Sequence, residues 1–229
     1  MSALDQTDSF TGFLPAAIQF LADLAANNHR EWFQPRKAEY ERLLKLPLEQ
    51  LCSALDERFE ARGVPLVADP ARSPMRIYRD IRFAKDKSPY KTNIAASFPW
   101  KGSGHGPGGY FHFQPGEMYV GGGMWHPERE RLASWRAAVA NETDRVLAAL
   151  HDPAFAEEFG EVEGERLKRV PPGYPPDHAQ ADLLRLKDVT FGRSLTQPEA
   201  LSPDLPDILC STLSRAVPVM TLLAELDAG

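Results

Sequence analysis

The chain has 229 residues, 43% of them hydrophobic and 25% charged, and carries a net charge of −6 at pH 7. A globular chain of this size builds a core that needs neither a disulfide framework nor a structural metal, and an acidic balance excludes a nucleic-acid binder of the usual basic type. The two cysteines, Cys52 and Cys210, sit in apolar helical patterns and read as reduced core thiols.

Asp5 and Asp8 stand where an export signal would be basic, and the apolar stretch 13–26 is interrupted by Pro15, Gln19 and Asp23. Neither a leader nor a membrane span is expected, which predicts a cytoplasmic location. Behind Pro15, the helical spacing of Ile18, Leu21, Leu24 and Ala25 predicts a first helix. A second runs from near Pro35 to Lys45, with Tyr40, Leu43 and Leu44 on one face. Pro47 starts a third, whose stripe of Leu48, Leu51, Cys52, Leu55 and Phe59 ends at Gly63.

From Met75 the period changes to two. Met75, Ile77, Ile81 and Phe83 alternate with Arg76, Tyr78, Asp80 and Arg82, which predicts a strand. Arg79 falls among the apolar set, so it is buried with a partner or the strand bends there. Ile94, Ala96 and Phe98 mark a second strand, Phe111 and Phe113 a third, and Met118 and Val120 a fourth. Gln114-Pro115-Gly116-Glu117 has tight-hairpin chemistry. The glycine-rich connection 101–109 lacks the lysine followed directly by serine or threonine of a phosphate loop and reads as a flexible hairpin loop.

After His126-Pro127-Glu128 the spacing of Leu132, Trp135, Val139, Val146, Leu147 and Leu150 predicts one long helix. Asp177 caps a short helix through Leu184, 186–195 is extended, and a helical region runs from Ser202 through Leu223, divided near Pro218. The expected fold class is α+β: a single domain over 10–226, with a mainly antiparallel sheet packed against N-terminal and C-terminal helices, behind a disordered tail at 1–9.

The chemistry concentrates at 76–92. Arg76, Arg79, Arg82, Lys85, Lys87 and Lys91 stand there against Asp80 and Asp86, an excess of +4 on a chain of charge −6. Such a basic island suits a specific small anion better than a long polyanion. These six cations, with Tyr90 lining the site, are the candidate anion-binding set. The structural alternative is an ion-pair network in which Asp80 and Asp86 neutralise the arginines and hold the loop. A second candidate is the run Gly121, Gly122 and Gly123 ahead of His126-Pro127. Glycines leading from a strand to a helix N-terminus admit an anion, or else mark a kinked strand end beneath a packed Trp125. The two candidates would form opposite walls of one pocket. Asp80 and His112 are the candidates for acid–base work on a held anion. His112, His126 and either Asp80 or Glu117 are a conceivable metal set, but no local spacing supports it, so no metal and no cofactor are expected.

The runs Phe10-Thr-Gly-Phe13, Asn27-Asn28 with Trp32-Phe33, Arg79-Asp-Ile-Arg-Phe83 with Asp86-Lys-Ser-Pro-Tyr-Lys-Thr92, and Leu184-Arg-Leu-Lys187 resemble the mainly bacterial family known as domain of unknown function 2461. The resemblance extends from about Phe10 to the C-terminal helices, implies one full-length domain and marks the same basic segment as its signature. It implies no activity. Two functions stay open: an enzyme on a small phosphorylated or carboxylated substrate, or a non-catalytic binding module for a nucleotide, an RNA end or an acidic protein segment. Acidic charge elsewhere favours a small anionic ligand over nucleic acid, and no membrane partner is expected.

Overall fold

The computed structural model describes residues 9–82, 84–102 and 106–226, so the expected tail lies outside the described residues apart from Ser9. Helix α1 (Pro15–Ala26) opens on the proline, whose missing N–H is no loss in a first turn, and buries Ala17, Phe20, Leu21 and Leu24. The next two expected helices are one winding run: α2 (Arg30–Phe33), a 3-10 turn at Gln34–Arg36, α3 (Lys37–Tyr40), a π turn at Glu41–Lys45 and α4 (Leu46–Arg62). Pro47 does not interrupt it. The Leu46 N–H donates five residues back to the Glu41 carbonyl, and this wider turn makes room for a ring that would crowd an α-helical one. Helix α4 buries Leu48, Leu51, Cys52, Leu55 and Phe59 and stops at Gly63, where φ is a left-handed 66°. Burial pushes the Cys52 thiol up to about 12, as befits a core residue.

Strands β1 (Ile94–Pro99), β2 (Gly108–Gln114) and β3 (Glu117–Met124) follow as expected, and β4 (Val189–Ser194) completes a four-stranded antiparallel sheet in the order β1-β2-β3-β4. The strand expected from Met75 does not form. Its described part touches other backbone only at isolated bridges, Pro74 with Ala96 and Tyr78 with Tyr90. Beyond Tyr78 the side chains of Asp80 and Asp86 bond to backbone amides two residues on, and these turns replace a ladder.

One long helix was expected after His126; there are two, α5 (Arg129–Asn141) and α6 (Thr143–Leu150), separated at Glu142 with φ −126° and ψ 37°. Then come α7 (Pro153–Phe159), capped by Asp152, and α8 (Ala181–Leu184), shorter than the helix expected from Asp177. Helix α9 (Gln197–Leu201) carries a capping box from Thr196 and Glu199. Helices α10 (Leu205–Arg215) and α11 (Val217–Glu225) meet at a 57° bend, with Pro218 in the first turn of α11, as the sequence predicts. The class is α+β. No single helix among the described residues is long and apolar enough to cross a membrane.

The chain resolves into two compact units, each drawn from separated stretches. The first holds Met1–Phe98, Tyr110–Val120 and Ser194–Ser211. Its core joins Phe13 to Phe111 and Phe113, and sets Phe59 edge-on to Phe98 at 5.9 Å. The second holds Pro99–Gly109, Gly121–Arg193 and Thr212–Gly229. There Trp135 is fully buried with its indole N–H on the Leu183 carbonyl at 3.1 Å, and Phe155 and Phe159 close on Phe191.

Candidate functional site

The candidate site lies in the first unit and is built by a short clamp. Around the bridge between Tyr78 and Tyr90, the Arg79 N–H donates to the Pro89 carbonyl at 3.0 Å and the Lys91 N–H to the Ile77 carbonyl at 2.7 Å. Asn28, two residues beyond the end of α1, braces the far strand of the clamp. Its Nδ2 donates to the Tyr90 carbonyl at 2.9 Å and its Oδ1 accepts the Tyr90 N–H at 3.1 Å. Such an amide-to-backbone pair imitates a strand partner, so both backbone polar groups of Tyr90 are satisfied without a sheet. The Tyr90 ring is 1% exposed and stacked on Phe33 at 4.1 Å; it is a core anchor whose backbone carries the site. Tyr78, by contrast, is 46% exposed.

Between the clamp and α1 opens a cleft of about 310 Å³, lined by Ala25, Asn28, Arg79, Asp86, Ser88, Tyr90, Lys91, Thr92 and Asn93. A second cleft, of about 550 Å³, adjoins it beside His29, Arg30 and Lys87, and the two share Asn28, Asp86 and Ser88. The six candidate cations have different fates. Arg79 is paired with Asp86, whose carboxylate also accepts the Ser88 hydroxyl and N–H. The Arg79 bond, then the two from Ser88, hold that carboxyl well below the usual carboxylate range. Arg82 grips Asp80 through Nε and Nη2, at 3.0 and 2.6 Å, in an exposed fork. Lys87 donates to the Ile81 carbonyl at 2.9 Å. Arg76, Lys85 and Lys91 form no salt bridge among the described residues, although, beside Arg82, Arg76 lies near enough to Asp80 to help hold its carboxyl down. The network alternative therefore accounts for Arg79 and Arg82 and leaves Lys91 unexplained. Lys91 is half-buried, and burial, followed by repulsion from Arg76, lowers its proton affinity.

Asp80 and His112 share no bond: Asp80 is committed to Arg82 at the surface, and His112 is buried on β2. His112 meets the cleft lining through Asn93, whose Nδ2 lies 3.3 Å from its Nδ1. Burial lowers the proton affinity of the imidazole against the raising influence of Glu117 and the Gln114 amide. Its Nε2 is buried without a hydrogen-bond partner.

Gly121, Gly122 and Gly123 line neither cleft. They lie inside β3, where a Cβ at Gly121 would meet the Phe191 carbonyl at 2.2 Å, at Gly122 the Gly108 carbonyl at 2.4 Å and at Gly123 the Val189 carbonyl at 2.1 Å. Close backbone approach explains all three, and Gly123 adds a φ of 112°. Trp125, taken as packed in the strand-end alternative, is 76% exposed. Among the described residues no three His, Cys, Asp or Glu side chains gather as a metal would need, so the set of His112, His126 and a carboxylate is not assembled. The loop 101–109 includes 103–105, which lie outside the described residues.

Asn28, Ser88, Thr92 and Asn93 complete the lining and were not singled out as site residues from sequence. Asn28, Ser88 and Thr92 fall inside the runs by which the sequence resembles the family, and Asn93 lies one residue beyond them. A family model described as conserved hypothetical protein (DUF2461) matches residues 16–221. No curated protein and no solved structure matches the chain.

Proposed function

The chain belongs to the DUF2461 family of conserved hypothetical proteins, and for it we propose the binding of a small anion, a phosphate or a carboxylate, in the cleft between α1 and the clamp. One observation carries this reading. Lys91 stands half-buried in a polar cleft, close enough to Arg76 to feel its charge, and no carboxylate among the described residues forms a salt bridge with it. A desolvated ammonium beside a second positive charge is stabilised when an anion arrives. Arg79 supports the reading differently. Its bond to Asp86 fixes the guanidinium at the cleft wall, where its remaining N–H donors serve a ligand oxygen. Asp86 and Ser88 then set the loop, and Asn28 sets the backbone that presents Lys91.

The size of the cleft and its polar lining suit a small ligand, bound with or without chemistry upon it. A stacked nucleic-acid strand is less well served. Of the two tyrosines that would stack bases, only Tyr78 is exposed, while Tyr90 is buried on Phe33. The test is calorimetric titration of inorganic phosphate and of small carboxylates into the intact protein and into Lys91→Met. Binding to the parent and a loss of at least tenfold in the variant, with the thermal midpoint held, supports the reading. Equal binding by both proteins, or none by either, removes it. In a parallel thermal screen, a ligand at 100 times its Kd stabilises by about 2.7 kcal/mol, a rise of roughly 5–10 °C for a chain of this size.

A further inference from the structure

His112 is 9% exposed on β2, in a polar aromatic cluster. Its ring stacks on Tyr119, centroids 4.8 Å apart and planes 14° from parallel, and its Nδ1 lies 3.3 Å from the Tyr110 hydroxyl as well as from Asn93 Nδ2. An amide nitrogen only donates, so with Asn93 Nδ2 facing it Nδ1 accepts, and that arrangement puts the ring proton on Nε2. That bond decides which end of Asn93 remains available. With its NH2 turned to the histidine, Asn93 offers a carbonyl oxygen that has no partner among the described residues, and Asn93 lines the cleft with Lys91 and Thr92.

An amide oxygen beside a cation site repels an anion, so the ligand must present a donor there. We propose that the cleft takes a phosphorylated or carboxylated polyol, its anionic group on Lys91 and an adjacent hydroxyl donating to Asn93 Oδ1, with His112 as the positioning residue that turns the amide. The proposal rests on the anion reading and deepens it. The groups facing the imidazole are Tyr110 and Tyr119, both neutral at ordinary pH, the amides of Asn93 and Gln114, and Glu117, the one charge that favours protonation. When the ring does protonate, Nδ1–H confronts the Asn93 NH2. The amide turns over, a donor replaces the acceptor in the cleft, and the hydroxyl preference disappears. Burial places this change below the usual range for histidine.

The experiment compares glycerol 1-phosphate with n-propyl phosphate, and glycerate with propionate, by calorimetry on the full chain at pH 7.5 and at descending pH. The parent is expected to favour the hydroxylated member of one pair by about tenfold, the worth of one well-placed hydrogen bond, and to lose that preference in acid. His112→Asn keeps an acceptor near the place of Nδ1 and does not titrate, so it retains the preference and loses its acid limb. His112→Leu binds both members alike. Nitrogen-15 spectra of the parent should show the Nε2–H tautomer of His112 at pH 7.5. Equal binding within each pair by the parent, an Nδ1–H tautomer, or an acid limb that survives in His112→Asn overturns the proposal and leaves the anion reading standing. Failure of all four compounds to bind overturns both.

Discussion

The basic segment 76–92 and the glycine run 121–123 look alike as sequence, each a candidate anion site, and they differ in what fills the space around them. At the glycines, neighbouring backbone occupies the place of a side chain: carbonyl oxygens lie 2.1–2.4 Å from where a Cβ would stand. At the basic segment a cleft of about 310 Å³ stays open beside a cation with no partner among the described residues. Glycine licenses close approach without saying by what, and charge licenses a counter-ion without saying whose.

That contrast is easiest to break at Gly123. Gly123→Ala must displace the Val189 carbonyl and hold alanine at a φ of 112°. The expected loss is roughly 3–5 kcal/mol, a fall in thermal midpoint of about 10 °C, read by calorimetric melting. A variant that melts like the parent and fails to bind an anion would return the glycines to the ligand site. Asn28→Ala comes next, because it strips both bonds from the Tyr90 peptide. It should cost about 2 kcal/mol by chemical denaturation and weaken phosphate binding as the clamp loosens.

The third prediction concerns pH. Lys91 holds an anion as an ammonium, so binding is complete below its pKa and fades as pH rises through it. Burial and Arg76 set that loss below the ordinary 10.5 of a lysine. Calorimetry of phosphate binding across the alkaline range should show the decline in the parent and no such limb in Lys91→Met. The smallest effect belongs to Arg82→Ala. Its fork to Asp80 is fully exposed, so the melting temperature should stay within experimental scatter, and binding with it. A clear loss of binding there would enlarge the site beyond the clamp.

Much of the fold was legible because its signals were local. The alternation of Phe111 and Phe113 with Tyr110 and His112, and the turn at Gly116, define β2 and β3 without reference to anything distant. The alternation from Met75 looked the same and failed. Asp80 and Asp86 satisfy the nearby amides themselves, so the segment needs no ladder, and Ile77 is buried without one. The long helix expected after His126 broke at Glu142 with no proline or glycine there to announce it. In the site, charge was visible and solvation was not. That Arg82 is spent on Asp80 while Lys91 is stranded depends on a clamp braced by Asn28, sixty-two residues from Tyr90 along the chain.

The π turn at Glu41–Lys45 also bears on descent. A π turn absorbs one extra residue while leaving the flanking helix in register, so the run from Arg30 to Arg62 has room for a one-residue insertion there. The insertion and Pro47 are coupled. Removing one residue from 41–45 while Pro47 remains would drive its ring against the carbonyl four residues before it, whereas the same deletion beside Pro47→Ala would let α3 run on into α4 as one α-helix with the Leu48, Leu51 and Leu55 stripe still facing the core. Relatives of this chain should therefore gain or lose the residue and the proline together.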